Sequence, residues 1–132
     1  MIEVVIGLFL VSIGVFALLS LQPSGWNLAG RSDFLGRAGA ILHRELEANE
    51  MLLMNPNFPN PCLVNNPLTN TRNVNASGQV AAQPGDAVFT VQTRLQDNLN
   101  STWLVRVTVT WAGNNTGISE SLVVGLQEAF RF

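Results

Sequence analysis

The sequence predicts an α+β fold in which a long N-terminal helix packs on an antiparallel β-meander of three to four strands. Three observations carry this. Residues 4–21 are an unbroken apolar run, residues 28–53 repeat apolar positions every three or four residues, and residues 88–95 and 103–111 alternate with a period of two. The expected organisation is a transmembrane helix over 1–22, an amphipathic helix over 23–55, an Asn/Pro-rich loop over 56–86 and an antiparallel sheet over 87–132.

Val4 to Leu21 reads VVIGLFLVSIGVFALLSL, 18 positions without a charge. At 1.5 Å per residue the run spans about 27 Å, close to the thickness of a bilayer's hydrocarbon core. A secretory signal peptide would begin with basic residues and close on a small-x-small cleavage site, and neither mark is present. Gly7, Gly14 and Ala17 form a small-residue stripe on which a second helix can approach. Glu3 stands at the edge of the run. A carboxylate carried to the bilayer centre costs about 2.5–3.5 kcal/mol, so its position marks either a headgroup-level residue or one with a partner charge.

Gln22-Pro23-Ser24-Gly25 is expected to break or kink the helix, because proline lacks the N–H and clashes with the preceding turn. Beyond it, Leu28, Leu35, Ala38, Leu42, Leu46, Asn49 and Leu53, widened by Ile41 and Leu52, form the buried stripe of an amphipathic helix. The other face carries Asp33 with Arg37 and Arg44 with Glu47 at ion-pair spacing. Asn55-Pro56 ends it. The two helical pieces together make a stalk of roughly 50 residues, about 75 Å if straight.

Five prolines and repeated asparagines between Asn55 and Asp86 forbid a regular helix and supply turns, so a long mobile loop is expected, with a short strand near Gln79–Ala82. Cys62, the one cysteine, has no disulfide partner in the chain and is expected to be exposed in that loop. The strands follow. Phe89, Val91, Thr93 and Leu95 share one face, as do Trp103, Val105, Val107, Val109 and Trp111, which assigns both tryptophans to the core. Turns are expected at 97–100 and 113–117, then a third strand from Ser119 to about Phe130 with Gly125 as a bulge.

Chemistry is sparse. Seven arginines without a lysine face nine acids for a net charge of −2, so nucleic acid is not an expected partner. His43, Glu47 and Glu50 lie at i, i+4 and i+7, spacing that can hold a metal but more often makes a solvated face. No nucleophile elbow, phosphate loop or H-E-x-x-H is present, and no cofactor, metal or catalytic residue is expected.

The opening MIEVVIGLFLVSIGVFALLSLQ resembles the N-terminal segment of type IV pilins and pseudopilins, where an Ile/Leu-Glu-Val pair leads into an unbroken apolar helix. The ending WLVRVTVTWAGNNTGISESLVVGLQEAF more loosely resembles the last hairpin of PilV-like minor pilins. In that family the glutamate follows four residues after a cleavage site, whereas only Met1 and Ile2 precede Glu3, so the leader and first two mature residues are expected upstream. The resemblance implies a structural, non-enzymatic subunit whose residues 1–22 form the filament core. It gives Glu3 the role of pairing with a neighbouring subunit's N-terminus, makes other pilin subunits the partners, and implies N-terminal methylation. It places the chain in the bacterial inner membrane before assembly, then in an extracellular pilus or a periplasmic pseudopilus. The alternatives are a type II secretion pseudopilin, or a filament-borne adhesin or DNA-uptake module using the loop and exposed arginines.

Overall fold

In the computed structural model, which describes residues 1–80, 83–98 and 101–126, helix α1 runs from Ile2 to Met54. Four strands follow: β1 Leu68–Val74, β2 Phe89–Asp97, β3 Thr102–Trp111 and β4 Asn114–Gly125. They form one antiparallel meander in the order β1-β2-β3-β4. The chain divides into two compact units, Met1–Leu35 and Gly36–Phe132.

The helix continues through Pro23 instead of breaking there. One proline removes one backbone donor, and the regular bonding on either side carries the helix on. Its end matches expectation: Asn55 leaves the helix, and its Oδ1 accepts from the Asn57 N–H at 3.0 Å, an Asx turn beside Pro56.

In the second unit, α1 from Gly36 onward covers one face of the sheet. Its buried residues are Ala38, Ile41, Leu42, Glu45, Leu46 and Leu53. Leu28, Leu35 and Leu52, expected in this stripe, are exposed, and Glu45 occupies a place the pattern gave to no charged residue. Against the helix lie Val74, Phe89, Val91, Trp103, Val105, Val107, Val109 and Val124, all buried. The register sets them side by side: Phe89 opposite Trp111, Val91 opposite Val109, Leu95 opposite Val105, and Trp103 opposite Val124. Phe89 and Trp111 meet as tilted rings with centroids 6.3 Å apart. Trp103 is buried and Trp111 half-buried, so both belong to the apolar face.

The segment 56–86 contains β1, which was not expected there. Its residues, LTNTRNV, lack the apolar alternation that marks a strand because β1 is an edge strand with one partner, so little of it needs burying. Val80 makes an isolated bridge with Val74, while Ala81 and Ala82 of the expected short strand lie outside the described residues.

Nor does the remaining loop hang free. Asn60 Oδ1 accepts from the Cys62 N–H at 2.9 Å and Asn60 Nδ2 donates to Asp97 Oδ2 at 2.8 Å. Asn66 exchanges two bonds with the Asp97 backbone, each 3.1 Å long. Cys62 is consequently buried, at 6% exposure, with its thiol donating to the Leu95 carbonyl at 3.6 Å. The expectation of an exposed cysteine is thus overturned. The same asparagines that signal turns also buckle the loop onto β2, and that second use leaves no mark in a sequence.

The β3–β4 connection is tighter than expected. Only Ala112 and Gly113 separate the strands, and the residues up to Gly117 belong to β4 as an irregularity between the Trp111–Asn114 and Val109–Ile118 pairs. Asn114 Oδ1 accepts from the N–H groups of Thr116 and Gly117 at 3.2 and 3.0 Å, which fixes the bulge. Gly125 ends β4 opposite Thr102 and is not a bulge. Leu99 and Asn100 of the first expected turn, and residues 127–130 of the expected third strand, lie outside the described residues.

Gly117 has φ +64°, and a Cβ there would lie 2.1 Å from the Val109 carbonyl oxygen. Gly113 has φ +87° but open space around it. Gly117→Ala is therefore expected to cost about 2–4 kcal/mol in a urea melt, and Gly113→Ala only about 1 kcal/mol. Cys62 is expected to react slowly with a thiol reagent in the native protein and at the ordinary rate in denaturant. Asn60→Ala should speed the native reaction.

Candidate functional site: the apolar half of the helix

Every residue from Met1 to Asp33 is exposed with respect to the rest of the chain. A soluble helix hides its apolar face against its own protein. Here Leu8, Phe9, Leu10, Val11, Phe16 and Leu18 each stand roughly two-thirds uncovered. The helix is long and apolar enough to cross a membrane. An exposed apolar surface of this extent is the kind that contacts lipid or protein.

The polar groups in the run are handled locally. Ser12 Oγ donates to the Leu8 carbonyl and Ser20 Oγ to the Ala17 carbonyl, both at 2.7 Å, so neither hydroxyl needs water. Trp26 is 80% exposed just beyond the apolar run, where an amphipathic indole suits a membrane–water interface.

Glu3 lies in the first helical turn, where a carboxylate is favoured by the helix dipole. At 100° per residue, Glu3, Gly7, Gly14 and Ala17 fall within an arc of about 80°, with Pro23 on the opposite side. A Cβ added at Gly7 or Gly14 meets none of the described residues within 4 Å, so the stripe is open among them. The carboxylate and the small residues, read separately along the sequence, thus make one face of one helix.

The head offers less chemistry. A cleft of ≈ 350 Å³ is bounded by Leu53, Phe58, Asn60, Asp97 and Trp103, and there the Trp103 indole already donates to Asn60 Oδ1 at 3.4 Å. His43 does not gather Glu47 and Glu50 around a metal. Its Nδ1 lies 3.9 Å from Glu120 Oε2 on β4, both side chains well exposed, and no metal-binding cluster occurs among the described residues. Arg44, expected to pair along the helix, donates to the Ser77 carbonyl at 3.1 Å.

Glu45 is the one buried charge among the described residues, and Arg72 of β1 meets it in an ion pair. Sequence spacing could not find this pair, because its members are 27 residues apart and one sits on an unrecognised strand. Also missed was the placement of Arg94 directly opposite Arg106 on the outer face, which needs the β2–β3 register.

Compared with known proteins, the chain matches no family model, no curated protein and no solved structure. Fold and site define a class all the same: a chain whose N-terminal helix is suited to a membrane and whose second unit is a helix on a four-stranded antiparallel sheet.

Arg72→Met leaves the Glu45 carboxylate buried without its partner. The expected loss is about 2 kcal/mol in a urea melt of the detergent-solubilised chain, less than for a fully buried pair because the Arg72 side chain is 40% exposed. Adding Glu45→Leu to that variant should restore most of the loss.

Proposed function

We propose that this chain is a structural minor pilin of a type IV pilus, which assembles through its apolar N-terminal helix and primes, caps or decorates the filament. One observation supports this above the others. Glu3 stands in the first turn of an uncovered apolar helix, on the same face as Gly7, Gly14 and Ala17, and that helix continues into the one that covers the sheet.

The physical course is simple. Before assembly, lipid covers the apolar residues and the self-bonded serines cost nothing extra. On assembly the helix exchanges lipid for other helices, and the glycines let those backbones approach. Glu3 then leaves water or headgroups for a drier site, which is tolerable only if a positive charge meets it, and a neighbouring subunit's N-terminal ammonium is that charge. The partners are other pilin subunits in a hetero-oligomeric helical filament. The same features suit a type II secretion pseudopilin, and the C-terminal hairpin is what favours the pilus.

Glu3→Ala removes the pairing charge without touching the head. Recovery of the variant in sheared filaments is expected to fall several-fold, while the detergent-extracted protein keeps its wild-type melt. Equal incorporation of the two proteins contradicts the assignment.

A further inference from the structure

The sheet face turned away from the helix is mostly polar. Its middle row runs Thr69, Arg94, Arg106, Ser121 across the four strands, each opposite the next. The neighbouring row sets Gln92 beside Thr108. Arg94 and Arg106 are exposed and stand on adjacent strands, about 4.8 Å apart at the backbone. Like charges placed directly opposite destabilise a sheet, so the pair contributes nothing to folding.

Among the described strand residues none on this face is acidic: Asp97 and Glu120 both fall on the helix side, opposite Trp103 and Val107. Among the described residues neither guanidinium meets a carboxylate. Arg106 Nε donates to Ser121 Oγ at 3.0 Å, which leaves its terminal amino groups free to turn outward. Between the two arginines lies a shallow groove of ≈ 170 Å³ floored by Leu104 and Gln96. In a chain of net charge −2, this is a local cationic surface set in hydroxyls and amides.

We infer that this face binds a carboxylated polysaccharide, with Arg94 and Arg106 holding uronate carboxylates and the flanking Thr, Ser and Gln side chains bonding the sugar hydroxyls. Guanidinium forks match carboxylates bidentately. A nucleic acid is disfavoured because, among the described strand residues, this face carries no aromatic ring on which a base could stack. A protein partner is disfavoured because, among the described strand residues, the apolar side chains of this face come down to one cross-strand pair, Leu104 and Val123, too little for the apolar centre that such interfaces share. The assignment stands on the head alone and does not depend on the filament reading.

The test is a titration of the full chain, dispersed in nonionic detergent, with a galacturonate hexamer, its fully methyl-esterified neutral counterpart and an oligothymidylate. The acidic hexamer is expected to bind, with affinity falling as salt is added. The ester should bind about tenfold more weakly or worse, and Arg94→Gln/Arg106→Gln should lose about tenfold in affinity for the acid while melting no lower than wild type. Equal binding of acid and ester, tighter binding of the oligothymidylate, no binding of the acid, or a folded double variant with unchanged affinity each overturns the inference. Should the double variant unfold, the comparison of acid with ester on the wild-type chain decides alone. Because the measurement uses dispersed protein, failure of Glu3 to act in assembly leaves it untouched.

Discussion

An antiparallel sheet that is apolar on one face must have that face covered, and in this chain α1 from Ala38 to Leu53 provides the cover. The rest follows from that constraint. It selects which helix positions are buried, it brings Val91, Val105, Val107 and Val109 to face one helix, and it leaves the opposite side of the sheet to solvent. The buried stripe begins at Ala38, and every residue from Met1 to Asp33 is exposed. One continuous helix therefore carries two different apolar stretches, one matched to the sheet and one exposed.

The buried carboxylate of Glu45 lies within that cover. An apolar residue there would satisfy the helix stripe, yet the charge is retained and paired with Arg72, whose strand has few other inward apolar anchors. The pair ties the edge strand to the helix at a defined register, since a shift of β1 by one residue would turn Arg72 to the outer face. Buried ion pairs add little net stability but specify arrangement, and β1 is the strand that most needs specifying.

Much of this was legible in the sequence. The apolar run and the inward-facing positions of β2 and β3 follow from periodicity, because burial on one face imposes a repeat of 3.6 or 2 that composition cannot hide. The limits have physical causes. β1 escaped because an edge strand of Thr and Asn needs no alternation. Cys62 was misplaced because Asn60 and Asn66 read as turn formers, while their side-chain bonds to Asp97 depend on a contact more than 30 residues away. Leu28 and Leu35 keep helical spacing, and spacing says nothing of where a covering surface stops. Of the candidate site, Glu3, Gly7, Gly14 and Ala17 were each singled out along the sequence, and helix geometry places them on one face. The Arg94–Arg106 juxtaposition stayed hidden, because cross-strand neighbours are fixed by register and not by proximity in the chain.

The bulge in β4 bears on solubility. A meander of four strands has two open edges, and an open edge is a template for unwanted pairing with other strands. On β4, Asn114 already accepts the N–H groups of Thr116 and Gly117, and the backbone turns left-handed at Gly117. An incoming strand would find those donors occupied and the ladder out of step. On the other side, Pro67 stands immediately ahead of β1 without a donor of its own. Both margins of the sheet are thus blunted at these points, which discourages pairing with a foreign strand.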